Sequence, residues 1–270
     1  MQTISAQTFD IGYMDTLSGG DTALHRLDAR TKLFVTALFL VSVVSFNKYE
    51  ISRLMPFFLY PVFLVSAGEL PPGYLLRKAQ AVAPLAVLVG LFNPFLDRGT
   101  LFYVGPLAVS GGTASFLSIL IRFFLTVSAA LCLVALTGVN AICEALERFG
   151  VPKVFAMQLL FLNRYITVLA GEAERMTRAR ALRSFSNKEM PAVVFVRLAG
   201  QLLLRAFARA ERIYSAMLCR GFDGRLRLVR RSTAGSRDAL FTAVWVCLFA
   251  AFRFVDIPQF FGNFITGLLK

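Results

Sequence analysis

The sequence is poor in the side chains that bind transition metals. Its 270 residues include a single histidine, His25, and four scattered cysteines, Cys132, Cys143, Cys219 and Cys247, none of which form a CxxC pair. The cysteines are interpreted as small buried apolar residues rather than as disulfide partners or ligands. Such a chain is poorly equipped to hold a metal by itself, and we expect no resident metal or cofactor.

The sequence also lacks the short motifs of common catalytic sites. It contains no GxxxxGK phosphate loop, no HExxH zinc motif and no GxSxG nucleophile motif. Without a phosphate loop the chain cannot use ATP in the P-loop manner. We therefore expect no enzyme activity, and any uphill work must take its energy from another subunit.

Apolar residues are abundant, at 57% of the chain with a mean hydropathy of +0.64. A soluble domain is about half apolar, and here the excess lies in separate runs. The runs predict an all-α integral membrane protein with about five transmembrane helices. They cover residues 33–46, 54–67, 79–92, 116–137 and 239–252. The interval 97–112, which ends in two glycines, is predicted as a loop. Because the polar first 24 residues do not resemble a secretory signal, we expect the first run to insert as a span.

Positive charge is concentrated in one block. Residues 141–237 carry 18 Lys and Arg against 7 Asp and Glu, whereas the rest of the chain carries 11 against 9. Nucleic acid, anionic lipid and an acidic protein partner could each account for such a block. In a membrane protein the positive-inside rule favours a cytoplasmic location.

Cap and turn residues divide the basic block into helices. Asn140 is predicted as the N-cap of a short helix that ends at Gly150. A long helix should then start at Pro152 and reach about Arg183. A second long helix should run from Pro191 to about Arg220, where Gly221 ends it.

The two long helices are predicted to end in similar segments. Residues 181–185 read Ala-Leu-Arg-Ser-Phe and residues 218–222 read Leu-Cys-Arg-Gly-Phe, at a spacing of 37 residues. One interpretation is local, because arginine near a helix C-terminus complements the helix dipole and Gly or Ser ends the helix. The other is that two arginine-tipped helices dock into two equivalent acidic grooves, since guanidinium binds a carboxylate bidentately.

Other charged and polar residues receive plainer interpretations. Arg205, Arg209 and Arg212 form one helical stripe, expected to face solvent or lipid headgroups, and Glu174 and Arg178 form an expected i,i+4 pair. Arg122 in the fourth run is expected to extend to the outer membrane interface. His25 is expected to be structural or solvated.

The paired segments resemble the two Ala-Arg-Gly coupling motifs of the transmembrane T component of energy-coupling factor transporters. The string from Cys219 to Arg225 resembles the second motif of the CbiQ family, which serves cobalt transport. The string from Leu24 to Leu33 resembles the segment ahead of that family's first span. There are departures: Ala29 stands where the family usually has Pro, the first motif reads Leu-Arg-Ser, and Cys219 replaces Ala. Both arginines are kept.

The resemblance implies a non-catalytic scaffold. In that family two cytoplasmic ATPase subunits, CbiO-like for cobalt, use the ATP. The T component passes their movement to a separate substrate-binding membrane subunit, CbiM-like, helped by a small CbiN-like subunit. The implied ATPase-coupling residues are Arg183, Ser184, Arg220, Gly221, Phe222 and Asp223.

The predicted organisation has four parts. They are an N-terminal arm (1–26), transmembrane helices 1–4 (27–139), cytoplasmic coupling helices (140–237), and a C-terminal transmembrane helix and tail (238–270). If five spans alternate, the N-terminus and the coupling helices face the cytoplasm across a bacterial inner membrane.

Three alternatives remain open at this point. A T component for nickel or another substrate fits the same features. A self-sufficient secondary transporter would need polar residues facing one another within the spans, which offer almost none apart from Arg122. A membrane-tethered nucleic-acid binder would need aromatic residues on an exposed basic face, and no nucleic-acid partner is expected.

Overall fold

The computed structural model describes most of the chain and divides it into two compact units. The first unit comprises residues 17–138 and 232–270, and the second comprises residues 1–16 and 139–231. The predicted four-part division between membrane and cytoplasm stays a prediction. The described residues are 13–14, 16–47, 50–92, 100–104, 107–183, 191–224 and 235–254.

The first unit begins with short helices. Helix α1 (Ala29–Val44) starts at Asp28, whose side chain accepts a hydrogen bond from the Arg30 N–H. The predicted second run is divided into α2 (Ile51–Leu54), a 3-10 turn (Met55–Phe58) and α3 (Leu59–Ala67). Proline lacks an N–H and clashes with the preceding turn of a helix, so Pro56 accounts for the break.

Helix α4 (Pro72–Leu91) leads into a region where the loop prediction is wrong. Strand β1 (Thr100–Val104) pairs antiparallel with β2 (Leu107–Ser110), with Tyr103 opposite Ala108. Helix α5 (Gly111–Thr137) then starts at the first of the two glycines that were predicted to lie in the loop. Both glycines are buried.

Aromatic residues from distant parts of the chain form the core of the first unit. Phe39 of α1 is fully buried, with its ring centroid 4.7 Å from that of Tyr60 and 5.5 Å from that of Phe249. Phe249 belongs to α9 (Ser236–Phe254), so the last described helix packs against the first. The buried Tyr60 hydroxyl forms a 2.7 Å hydrogen bond with Thr36 Oγ1. Aromatic pairs at these separations stabilise beyond their buried area.

The second unit contains the three helices predicted for the basic block. They are α6 (Val139–Arg148), α7 (Lys153–Arg183) and α8 (Ala192–Cys219). The ends at Gly150, Arg183 and Gly221 match the predictions to within two residues. Asn140 is not the N-cap, because α6 already begins at Val139, directly after Gly138 ends α5 with φ +75°.

The helical membrane fold is confirmed. Among the described helices, α4, α5 and α7 are long and apolar enough to cross a membrane. Two of the five predicted spans lie in such helices, α4 and α5. Helix α1 has 16 residues, about 24 Å at 1.5 Å per residue, which is less than the hydrocarbon thickness. Helix α7 was predicted to lie outside the membrane. Its apolar first half makes it one of the three described helices that are long and apolar enough to cross a membrane.

The prediction that all four cysteines are buried is wrong for two of them. Cys132 and Cys143 are buried, whereas Cys219 and Cys247 are exposed. Cys219 is the last residue of α8, at a helix end where less surface is covered. Cys247 lies on a face of α9 that the chain itself does not cover, and such a face suits a small apolar side chain in lipid.

Candidate coupling site

The first predicted docking residue, Arg183, is the last residue of α7 and is exposed. Its helix is apolar up to about Leu169 and charged from Glu172 onward. Within the described part of the chain the Arg183 guanidinium has no carboxylate partner. Ser184, predicted to act with it, lies outside the described residues.

The second predicted docking residue, Arg220, follows α8 directly and is also exposed. Backbone hydrogen bonds close this helix end: the Gly221 N–H donates to the Leu218 carbonyl at 3.0 Å, and the Phe222 N–H donates to the Met217 carbonyl at 3.1 Å. Gly221 has φ +76°, a left-handed conformation that costs glycine little. This is the Schellman arrangement, so the Arg220 side chain is not needed to cap the helix.

The residues after Arg220 form the predicted turn. Phe222 is half-buried, whereas Asp223 and Gly224 are exposed. The structure therefore brings Arg220, Gly221, Phe222 and Asp223 together at the end of one long helix and places Arg183 at the end of the other. Each end presents a cation at the terminus whose orphan carbonyls favour positive charge.

An ion pair that the sequence analysis missed links the two long helices. Glu172 Oε1 of α7 accepts from Arg205 Nη1 of α8 at 2.6 Å, and Glu172 Oε2 accepts from Arg175 Nη2 at 2.6 Å. Arg205 was predicted as part of a solvated stripe, and its 33-residue separation from Glu172 gives no local pattern from which the contact could be found. The expected Glu174–Arg178 pair is confirmed at 2.9 Å.

Helices α7 and α8 also border an apolar groove, which we call the α7–α8 groove. It encloses about 430 Å³. On α7 it is lined by Phe161, Tyr165 and Leu169, and on α8 by Leu203, Ala206, Phe207, Arg209, Ala210, Ile213, Tyr214 and Met217. Phe207 is 62% exposed there. The lining contains one charged residue, Arg209, and is otherwise mostly apolar. Exposed apolar surface of this kind is typical of a site for a partner or for lipid.

His25 has both ring nitrogens occupied by hydrogen bonds. Nε2 lies 3.0 Å from the Leu17 carbonyl, which can only accept, so Nε2 carries the proton and Nδ1 accepts from the Thr22 hydroxyl at 2.7 Å. Burial lowers the pKa of His25 below its usual value, which favours this neutral form. His25 is thus a structural residue. Among the described residues no three His, Cys, Asp or Glu side chains form a group able to hold a metal ion.

Arg122 of α5 is bonded to the turn that follows α1. Its Nη2 donates to the Asn47 carbonyl at 2.5 Å. The guanidinium therefore binds a backbone carbonyl shortly after the C-terminal end of α1, where positive charge is favourable. Its location at the outer membrane interface stays a prediction.

Comparisons with known proteins agree with this architecture. The CbiQ family, described as cobalt transport protein, matches residues 20–230. The energy-coupling factor transporter transmembrane protein EcfT of Ruminiclostridium cellulolyticum is 27% identical over 226 residues, 77% of this chain and 84% of that protein. EcfT of Heliobacterium modesticaldum is 29% identical over 241 residues, 83% of this chain and 90% of that protein.

The match to the family extends from the polar segment before α1 through the end of α8. It covers the N-terminal string and the two paired segments that carried the resemblance, and it includes Arg183 and Arg220. The chain belongs to the CbiQ family of transmembrane T components of energy-coupling factor transporters.

Proposed function

We propose that this chain is the coupling subunit of an ATP-driven cobalt importer. Two ATPase subunits, CbiO-like, dock on Arg183 and Arg220 and supply the energy. The chain transmits their movement to a separate CbiM-like substrate-binding membrane subunit, assisted by a small CbiN-like subunit. The chain itself binds neither ATP nor the transported ion.

The exposed arginines at the ends of α7 and α8 carry this proposal. Each has no carboxylate partner within the described residues, so each is available to a partner protein. A dimeric ATPase offers two equivalent surfaces, and the chain offers two similar helix ends. Guanidinium suits this role because its planar fork binds a carboxylate through two parallel hydrogen bonds.

The choice of cobalt rests on the family description, since the matching family is that of a cobalt transport protein. The relatives are named more generally, as energy-coupling factor transporter proteins. Both arginines and the groove would serve nickel import equally well. Substrate choice is therefore expected to lie in the substrate-binding subunit.

Reconstitution in vesicles tests the proposal. Vesicles that hold this chain with the ATPase pair and the substrate-binding subunits should take up cobalt when ATP is supplied. Vesicles without this chain should not, and the purified chain alone should hydrolyse no ATP. If the importer also accepts nickel, excess nickel should lower the uptake of cobalt into these vesicles. Cobalt uptake by the chain alone, driven by an ion gradient, would instead support a secondary transporter.

We further propose that the N-terminus and the second unit face the cytoplasm of a bacterial cell. The charge bias of residues 141–237 supports this orientation through the positive-inside rule. In a cysteine-free chain, Ser215→Cys in α8 should resist an impermeant thiol reagent applied to intact cells, whereas Ser52→Cys in α2 should react. Both serines are exposed. The reverse labelling pattern would contradict the orientation.

The α7–α8 groove is proposed as the contact surface for the substrate-binding membrane subunit. Its apolar lining suits an apolar helix face, and the Glu172–Arg205 ion pair joins the same two helices. An apolar contact depends on shape more than on charge, and interface energy usually concentrates in a few buried aromatic residues.

A further inference from the structure

The chain passes between its two units three times, after Thr16, after Gly138 and after Arg231. The last two passages, which we call the crossings, bound residues 139–231, and a short polar segment of the first unit contacts residues beside both of them. Asp28 and Lys32, at the start of α1, bond to residues beside these two crossings. All the groups that make these bonds belong to the first unit.

Lys32 fixes the first crossing. Its side chain is buried, and its Nζ donates to the carbonyl of Leu136 in the last turn of α5 at 3.0 Å. Two residues later, Gly138 adopts φ +75°, and a Cβ there would lie 2.8 Å from Ser18 Oγ. The end of α5 is therefore held by a buried ammonium and by close packing immediately before the chain leaves the unit.

Asp28 and Asp238 fix the second crossing. The buried Asp238 carboxylate accepts from the Asp28 N–H at 2.8 Å and from the Gly235 N–H at 2.7 Å. Gly235 is the first described residue after the chain re-enters the unit. Asp28 Oδ1 in turn accepts from the Arg30 N–H at 3.0 Å and so caps α1. The start of α1 thus bonds to residues on both sides of the segment 139–231.

These bonds involve three buried charged side chains, which we call the crossing clamp: Asp28, Lys32 and Asp238. They are 2%, 4% and 7% exposed. Buried ionic groups seldom add net stability over apolar residues of the same size, because desolvation offsets their attraction. Fixing one arrangement of the backbone is the role that such groups serve best.

We propose that the crossing clamp consists of positioning residues, which transmit movement of the second unit to the first. This inference rests on the proposed function. If the ATPases move residues 139–231 of the second unit, the movement of that segment enters the first unit along the chain through residues 136–138 and 235–238. Flexible backbone at the crossings would absorb that movement locally, whereas backbone held by the crossing clamp transmits it to α1, α5 and α9.

Lys32→Met and Asp238→Asn, assembled with the ATPase and substrate-binding subunits in vesicles, test the clamp. Methionine keeps the length of the lysine stem without its ammonium, and asparagine keeps the shape of aspartate without its charge. We expect ATP hydrolysis and subunit assembly to be kept while the amount of cobalt transported per ATP hydrolysed falls about tenfold.

Thr36→Val is the matched control. It breaks the buried Thr36–Tyr60 hydrogen bond, which lies in the same unit but touches neither crossing. It should lower the unfolding temperature of the complex without changing the transport-to-ATP ratio. An unchanged ratio in both clamp variants, an equal fall in the control, or failure of Asp238→Asn to assemble would overturn the clamp. A wild-type complex that never takes up cobalt contradicts the proposed function instead.

Discussion

Replacing both Arg183 and Arg220 by alanine should abolish recovery of the ATPase subunits with this chain. If each guanidinium binds an acidic groove, removing it leaves carboxylates buried without a partner. Loss of one member of such an interfacial pair costs about 2–5 kcal/mol, and two independent losses add approximately. Each single alanine variant should therefore weaken association, and the double variant should do so far more. Co-purification of the ATPase with each variant measures the effect.

Conservative and distant substitutions sharpen this test. Arg→Lys at either site should restore binding only in part, because an ammonium cannot reproduce the bidentate fork. Arg197→Ala is the control, since Arg197 is exposed on α8, the helix that Arg220 follows, but lies at neither helix end nor in the α7–α8 groove. Normal ATPase recovery with the double variant, or an equal loss with Arg197→Ala, would exclude docking through the arginine pair.

The competing interpretation of these arginines is that they only cap their helices. It forecasts a loss of roughly 0.3–1 kcal/mol of local stability and an intact complex. At Arg220 the structure already weakens it, because the hydrogen bonds that end α8 come from the backbone of Gly221 and Phe222. The side chain of Arg220 is exposed and takes no part in them. Arg220 has no carboxylate partner among the described residues and is not needed for capping, so it is the more suitable of the two arginines for an intermolecular role.

The ends of the long helices could be predicted because strong local signals mark them. Proline is strongly disfavoured in the interior of a helix, so Pro152 and Pro191 mark helix starts. Gly221 readily adopts the left-handed conformation that ends a helix. Helices α7 and α8 accordingly begin and end within about one residue of the prediction. The positions of Arg183 and Arg220, the arginines proposed to dock, could be predicted for the same reason, since each was identified by its place at a helix terminus.

Structure that depends on distant residues could not be predicted from local patterns. The hydrogen bond from Asp28 to Asp238 spans 210 positions, and the Glu172–Arg205 pair spans 33. Neither has a periodic signature, because the two partners meet only after helices pack. The start of α5 at Gly111 was missed for a related reason. Paired glycines usually indicate a loop, but here packing within the unit keeps Gly111 and Gly112 buried in a helix.

Phe207→Ser should release the substrate-binding subunit while leaving the ATPase subunits bound. Phe207 lines the α7–α8 groove and is 62% exposed, so its ring is available to a partner. Truncating a central aromatic anchor of an interface typically costs about 2 kcal/mol or more, which is roughly a thirtyfold loss of affinity. The docking arginines lie at the helix ends and do not line the groove, so their contacts should persist.

Phe195→Ser provides a control on the same helix with nearly the same exposure, because Phe195 is 63% exposed but does not line the groove. Both variants lose the same apolar area, so any effect of lost lipid contact or helix propensity should be shared. A difference between them therefore isolates the groove. Quantified recovery of both partner types from detergent-solubilised membranes gives the answer. Equal loss of the substrate-binding subunit with both variants, or its full retention with Phe207→Ser, would show that the subunit docks elsewhere.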